Sequence, residues 1–221
     1  MTRIAVIGAG HIGGNLARLL ASDGHEVSVS FSTDPAKLAR LAADTGATAT
    51  DPASAIAHAD VVIVSVPWGV VDAALEQAGD LSGKLVIDTT NQFGQVDGHF
   101  GVLDLGGQSA AARNAAKAPG ALWVKAFNTL TAGFQASSAG RTGQDRVVMF
   151  YATDHDDVTG RTEELIRSAG FDPVRTGTLA RTEVGHQEPK GELYGAEFHH
   201  DDAVAFVGRL RGTAPSGKGR P

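Results

Sequence analysis

The chain has 221 residues, with 19 Lys plus Arg against 25 Asp plus Glu for a net charge of −6, and 42% hydrophobic residues. That balance suits a globular protein with a sizeable core and argues against disorder or a nucleic-acid backbone as partner. The absence of cysteine excludes disulfides, thiolate metal sites, iron–sulfur clusters and a Cys nucleophile. No apolar run approaches the roughly 20 residues that span a bilayer, so no membrane partner is expected. The opening residues enter a strand without a charged and apolar leader, and the expectation is a cytoplasmic protein.

Arg3 to Ile7 is a short β-branched run, followed by Gly8-Ala-Gly-His-Ile-Gly-Gly14 and then Asn15 to Ser22, where Leu16, Leu19 and Leu20 fall at helical spacing. Gly24 stops that helix, and Glu26 to Phe31 reads as a second strand. Asp34-Pro35 is a helix start with Asp as cap and Pro at the first helical position, leading into Ala36 to Asp44. The rhythm continues with a strand at 47–50, a helix at 52–58, the apolar strand Val61 to Val66, a helix at 70–78 and a strand at 84–88. Thr89 to Gly107, rich in Gly, Asn, Gln and Asp, reads as a long irregular segment of the kind that often carries function. A helix at 109–118, a strand at 122–127 and a helix at 130–138 follow. A smaller unit then reads as strand 146–152, helix 156–169 and strand 172–176. Leu179 to Tyr194 has no clear period, Gly195 to Leu210 holds a final helix, and 212–221 reads as a flexible tail.

Strands alternating with helices imply crossover units and a parallel sheet covered on both faces. The fold class is therefore α/β: a Rossmann-type, doubly wound, mostly parallel sheet with a smaller C-terminal α/β unit. The division expected is a nucleotide-binding domain over 1–145, a unit over 146–211 packed on it, and the tail.

Gly8-x-Gly10-x-x-Gly13 lies between a predicted strand and a predicted helix, the context in which this pattern binds a dinucleotide. Gly8 permits the tight turn, Gly10 lets the backbone approach a pyrophosphate, and Gly13 lets the helix pack on the strand. The pyrophosphate then rests on amides at the positive end of the helix dipole. The second strand ends in Ser30-Phe31-Ser32-Thr33 with no carboxylate to hold a ribose 2′-hydroxyl. Asp34 reads as a helix cap, so the strand end favours NADP over NAD. No Arg sits at that strand end, and only Lys37 and Arg40 lie close by in sequence. Val66-Pro67-Trp68, Thr89-Thr90-Asn91 and Lys125-Ala126-Phe127-Asn128-Thr129 each follow or end a strand at the edge where open parallel sheets bind ligands. They are expected to converge on the nicotinamide.

Other constellations read as structural. His199-His200-Asp201-Asp202, with Glu188 and Glu197 nearby, is taken as a solvated polar segment rather than a metal site, because adjacent residues point apart. Tyr194, Phe198 and His199 are placed near the acceptor. His155 with its flanking Asp residues reads as a helix start, Ser109 and Ser138 lack the setting of a nucleophile, and Phe127 reads as core.

In order and spacing, the glycine loop, Val66-Pro-Trp68, Asp88-Thr-Thr-Asn91, Lys125-Ala-Phe-Asn-Thr129 and Phe171-Asp-Pro-Val174 resemble the NADPH-dependent coenzyme F420 reductases. The cytosolic domain of the STEAP metalloreductases is similar too, and the resemblance runs from about Arg3 to Leu179. It implies NADP(H) as cofactor, coenzyme F420 as co-substrate, and direct hydride transfer between C4 of the nicotinamide and C5 of a deazaflavin. No residue is then assigned as catalytic, because the protein has only to hold two flat rings aligned and dry. The cofactor would be held by Gly8, Ala9, Gly10, His11, Ile12 and Gly13 at the phosphates, and by Ser30, Phe31, Ser32 and Lys37 at the ribose. Val66, Pro67, Trp68, Asn91, Ala126 and Asn128 would line the nicotinamide, with Asn128 also facing the acceptor. A homodimer is implied as well. The archaeal reductases carry a His where this chain has Asn128, and a Ser-Arg pair where it has Phe31-Ser32. The acceptor therefore stays open to free FMN or FAD, a ferric chelate or a small imine or carbonyl compound. A non-catalytic NADP(H)-sensing protein remains a further alternative.

Overall fold

The computed structural model describes residues 1–212, so the expected tail falls, from 213 onward, outside the described residues. The first half folds as β1 (Arg3–Ile7), α1 (His11–Ser22), β2 (Glu26–Ser30), α2 (Pro35–Thr45), β3 (Thr48–Ala49), α3 (Pro52–Ala57), β4 (Val61–Val64), α4 (Val71–Ala78) and β5 (Leu85–Asp88). A hairpin of β6 (Phe93–Val96) and β7 (His99–Val102) precedes α5 (Ala110–Ala115), β8 (Leu122–Ala126) and α6 (Ala132–Ser138). The chain ends with β9 (Val148–Thr153), α7 (Thr159–Ser168), β10 (Asp172–Gly177), α8 (Arg181–Val184) and α9 (His200–Leu210).

Eight strands form one sheet in the order β10-β9-β8-β5-β4-β1-β2-β3. The chain winds outward from β1 through β2 to β3, then returns to lay β4 on the other side of β1, so the winding reverses between β1 and β4. Crevices for ligands open at such a reversal, beyond the carboxyl ends of the strands. The six strands from β3 to β8 run parallel, as expected. β9 lies antiparallel to β8 and parallel to β10, so the last two strands run backward within the same sheet.

Strand periodicity sorts the apolar residues onto two faces. Ile4, Val6, Val27, Val29, Val61, Ile63, Leu85 and Ile87 pack against Leu16 and Leu20 of α1 on one side. Ala5, Ile7, Val62, Val64 and Val86 pack against α3 and α4 on the other. Each fully buried Val, Leu or Ile contributes about 1.5–3 kcal/mol of transfer free energy, which is why these strands carry no polar alternation. A third cluster, Val148, Phe150, Val174, Leu193, Ala203 and Val207, seats α9 on β9 and β10. The free edge of β10 is blocked by Arg211, whose guanidinium donates to the carbonyls of Thr176 and Arg175.

Helix starts follow their caps. The Asp34 carboxylate accepts from the amides of Ala36 and Lys37 at 2.9 and 3.1 Å, as the sequence predicts, and Asp51, Ser109 and Thr131 cap α3, α5 and α6 in the same way. Ser109, the last residue before α5, also donates to the Leu179 carbonyl. Three expectations change. The stretch 89–107, expected to be irregular, holds the β6–β7 hairpin, because Asp97 (φ 50°) and Gly98 (φ 80°) form the two left-handed positions of a tight hairpin turn. The last helix begins at His200 and not Gly195, since the Phe198 carbonyl is taken by the amide of Val148. The helix expected over 156–169 divides into a 3₁₀ turn at Asp156–Val158 and α7.

At the amino ends of the central strands, Arg3 of β1 grips Asp60 ahead of β4 with Nη2 2.6 Å from Oδ1. The guanidinium holds that carboxyl at about 2, against an unfolded value of about 4. A lowered folded pKa stabilises the protein above the unfolded value, and that contribution disappears as pH falls from about 4 through about 2. With both side chains well exposed, the effect is under about 1 kcal/mol. Asp60→Asn is therefore expected to lower the midpoint of thermal unfolding slightly at neutral pH and to flatten its acid dependence between pH 4 and 2. Identical acid profiles for the two proteins would refute this.

Candidate active site

The crevice begins at the turn between β1 and α1. Gly8 has φ +114°, and its amide donates to the Ser30 carbonyl at the end of β2 at 2.9 Å. A Cβ on Gly8 would lie 2.2 Å from the Ser65 carbonyl oxygen, and one on Gly13 would lie 2.1 Å from the Gly8 carbonyl oxygen. Both positions are glycine because the chain passes itself too closely for any side chain. Gly10 differs. Its backbone (φ −76°, ψ −172°) suits any residue, and the nearest atom to a Cβ there is 3.9 Å away. It is exposed, as is His11, whereas Ala9 is buried and Ile12 packs beside the core under α1. Among the described residues no side chain caps α1, and its first turn holds no acidic residue.

At the end of β2, Ser30 is fully buried with its Oγ unpartnered among the described residues, and Phe31 takes a left-handed conformation (φ 58°). Ser32 Oγ accepts from the Asp34 amide, which leaves the Asp34 carboxylate to its helix. Arg40 Nη2 lies 3.7 Å from that carboxylate, while Lys37 is exposed with no ion pair among the described residues.

The ends of β4, β5 and β8 are neighbours in the sheet, and the residues expected at the nicotinamide come together there. Val66 is buried, Pro67 exposed and Trp68 half-buried in a 3₁₀ turn that leads into α4. Asn91 and Asn128 clasp each other: Asn91 Nδ2 donates to the Asn128 carbonyl (2.9 Å) and Asn128 Nδ2 donates to Asn91 Oδ1 (3.1 Å). Asn128 Nδ2 also donates to the Gln187 carbonyl at 2.8 Å, while its Oδ1 is buried without a partner among the described residues. Ala126 is buried. Phe127 (φ 58°) belongs to the core, edge-on to Phe171, as expected.

The pairing and burial of several residues at this edge escaped the sequence reading. Lys125 is fully buried and pairs with Asp88, which also accepts from Asn114 and from the Thr90 amide. The available signal was a charged residue closing each of two apolar runs. Gln187 and Glu188, also fully buried, lie in the stretch that showed no period. Glu188 accepts from the Ala111 amide in α5, and Gly195 donates to the Thr129 carbonyl, so residues 187–195 seal the flank of the crevice. Tyr194 lies there edge-on to Phe93, which stacks on Phe100 of the hairpin. Burial raises the Tyr194 phenol above its usual value and keeps it neutral. Phe198 instead packs between Phe150 and Phe206. His199 Nδ1 faces the Arg146 carbonyl and His200 Nδ1 faces Asp172, in separate directions. Among the described residues no group of three His, Asp or Glu is placed to hold a metal ion, and no helix is long and apolar enough to cross a membrane.

Residues 3–92 match the family model described as NADP oxidoreductase, coenzyme F420-dependent. No curated protein matches the chain. Among solved structures, a hypothetical protein from Sinorhizobium meliloti is 33% identical, with a TM-score of 0.80, over 91% of this chain and 97% of that one. A candidate F420-dependent NADP reductase from Arthrobacter sp. FB24 shares the fold at 23% identity and a TM-score of 0.71, covering 81% of this chain and 86% of that one. An imine reductase from Aspergillus terreus shares it at 21% identity and a TM-score of 0.64, with 85% of this chain covering 59% of that one. The glycine turn thus lies inside the segment that matches this NADP oxidoreductase family, and the whole chain aligns almost end to end with the Sinorhizobium meliloti protein.

Proposed function

We propose that this NADP-dependent oxidoreductase moves hydride between NADPH and coenzyme F420. The observation that carries the nucleotide half of the reading is Gly10. The chain's own packing leaves room for a side chain there, so the missing Cβ makes space for something outside the chain, at the uncapped N-terminus of a 12-residue helix. Both features fit a pyrophosphate. Gly8 to Gly13 would cradle it. Ser30, Phe31 and Ser32 would border the ribose, with Lys37 free to meet a 2′-phosphate. Val66, Pro67, Trp68, Asn91, Ala126 and Asn128 would surround the nicotinamide, where the unpartnered Asn128 Oδ1 is an acceptor for a carboxamide N–H.

Bound there, the nicotinamide supplies a hydride from C4, which the deazaflavin takes at C5 with a solvent proton at N1, giving NADP⁺ and reduced F420. The protein's task is positional. The Asn91–Asn128 clasp fixes two strand ends, and neutral amides at that clasp keep fixed charge off the reacting rings. On this reading residues 1–145 hold the nucleotide and 146–211 complete the acceptor side. The reading also takes the protein as cytoplasmic and as a homodimer. The exposed apolar side chains of the hairpin strands, with Phe100 74% accessible, supply a surface for the second copy. Asn128 has its amide protons engaged and offers no titratable group, which equally suits a cationic imine that arrives already protonated.

Purified protein should oxidise NADPH when given a deazaflavin. Turnover with FMN, a ferric chelate or a cyclic imine in its place would replace the acceptor and keep the nucleotide site. Tight NADPH binding without turnover on any of them would make the protein a sensor. Gly10→Ala should leave the unfolding midpoint within about 2 °C of wild type, because the new methyl has room. It should also weaken NADPH binding at least about 10-fold, or about 1.4 kcal/mol, in calorimetry, and unchanged affinity would remove the phosphate cradle. Lys37→Ala should raise Kd for NADPH about 10-fold while leaving NADH unaffected. Equal losses for both nucleotides would exclude a 2′-phosphate contact.

A further inference from the structure

Directly beneath the nicotinamide edge lies an ion pair with no access to water: the side chains of Lys125 and Asp88 are 0% and 2% exposed, with Nζ 3.1 Å from Oδ2. Burying two charges costs several kcal/mol per ion before their attraction returns it, and apolar replacements of similar volume are often neutral or stabilising. Stability alone therefore gives no reason for this pair.

Its geometry does. Every polar group of Thr90 is held by the network. The Thr90 amide donates to Asp88 Oδ1 (2.8 Å), its carbonyl accepts from Lys125 Nζ, and its Oγ1 accepts from Asn114 Nδ2 (3.1 Å). Asn114 Nδ2 also donates to Asp88 Oδ2 at 3.1 Å, so α5 is tied into the same knot. The Asp88–Thr90 contact is a side-chain turn that bends the chain as it leaves β5. The next residue is Asn91, whose side chain clasps Asn128 beyond β8. We infer that Asp88, Lys125, Thr90 and Asn114 are positioning residues, which lock the Thr90–Asn91 turn so that the Asn91–Asn128 clasp holds the nicotinamide ring in one orientation. None of the four touches the ring. They act through Asn91.

This inference rests on the nucleotide reading above, and its test separates the two. The readouts are calorimetric affinity for NADPH, the fluorescence lifetime of bound NADPH, which lengthens when the ring is immobilised, and kcat with the best acceptor. The variants are Asp88→Leu/Lys125→Met, which replaces the pair by apolar groups, and Thr90→Val, which removes one anchor at constant shape and leaves the charges in place. Wild-type protein is expected to lengthen the lifetime. The double variant should keep NADPH affinity within about 3-fold, because the phosphate turn lies on β1, yet lose the lengthened lifetime and about 10- to 100-fold in kcat. Thr90→Val should show the same pattern at about 3- to 10-fold.

A folded double variant with wild-type lifetime and kcat overturns the inference, as does a loss of affinity that matches the loss of kcat. If the double variant does not fold, Thr90→Val decides in the same terms. Wild-type protein that binds no NADPH would instead overturn the nucleotide reading. Wild-type protein that binds NADPH without turnover would overturn only the oxidoreductase reading and leave the lifetime to judge the network.

Discussion

Two carbonyl oxygens leave no room for a side chain: that of Ser65, at the exit of β4, and that of Gly8, under the first turn of α1. The Cβ positions of Gly8 and Gly13 would lie 2.2 and 2.1 Å from them. This close approach draws β4 against the β1 turn at the point where the winding of the sheet reverses, and it seats α1 directly on the end of β1. A methyl at either position would push backbone against backbone, which a packed interior does not absorb. The crevice is thus defined by where the chain passes itself. The one glycine of the motif not required by that crossing, Gly10, is the one that faces outward.

Beyond the crossing, polar groups are sorted by depth. Charge is present but sunk, in the Asp88–Lys125 pair, and the layer above it is built from the carboxamides of Asn91 and Asn128. Such layering suits hydride transfer between two flat rings, which needs orientation and dryness more than acid–base chemistry. The far end of the crevice differs in kind. Around Ser32 and Lys37 the surface is open, with Lys37 exposed and the Asp34 carboxylate held by its own helix.

Most of the nucleotide half was legible because it is written locally. A β-branched run, three glycines, leucines at helical spacing and an Asp-Pro start each act within a few residues of themselves, and β1, α1, β2 and α2 appear where they point. The hairpin was missed for a local reason as well. Asp97-Gly98 is a strong turn signal, but the flanking strands are four residues each and interrupted by Gly94 and Gly101, so no period stood out. What could not be read is whatever joins distant segments. Nothing near Asp88 announces Lys125, and nothing in 181–195 announces that Gln187 meets Asn128 or that Glu188 meets Ala111. The backward run of β9 and β10 is of the same kind: strand, helix and strand were each visible, but their direction depends on which end of the sheet the connection after β8 returns to.

That reversed pair has a consequence for how the protein comes into being. The strands that carry the glycine turn and the winding reversal, β1 to β5, are complete by residue 88, and each pairs with a neighbour close in sequence. The flank beside Asn128 is finished only when Gln187 and Gly195 come back to Asn128 and Thr129, about a hundred residues later on the ribosome. A growing chain therefore owns its glycine turn well before it owns the closed flank of the crevice.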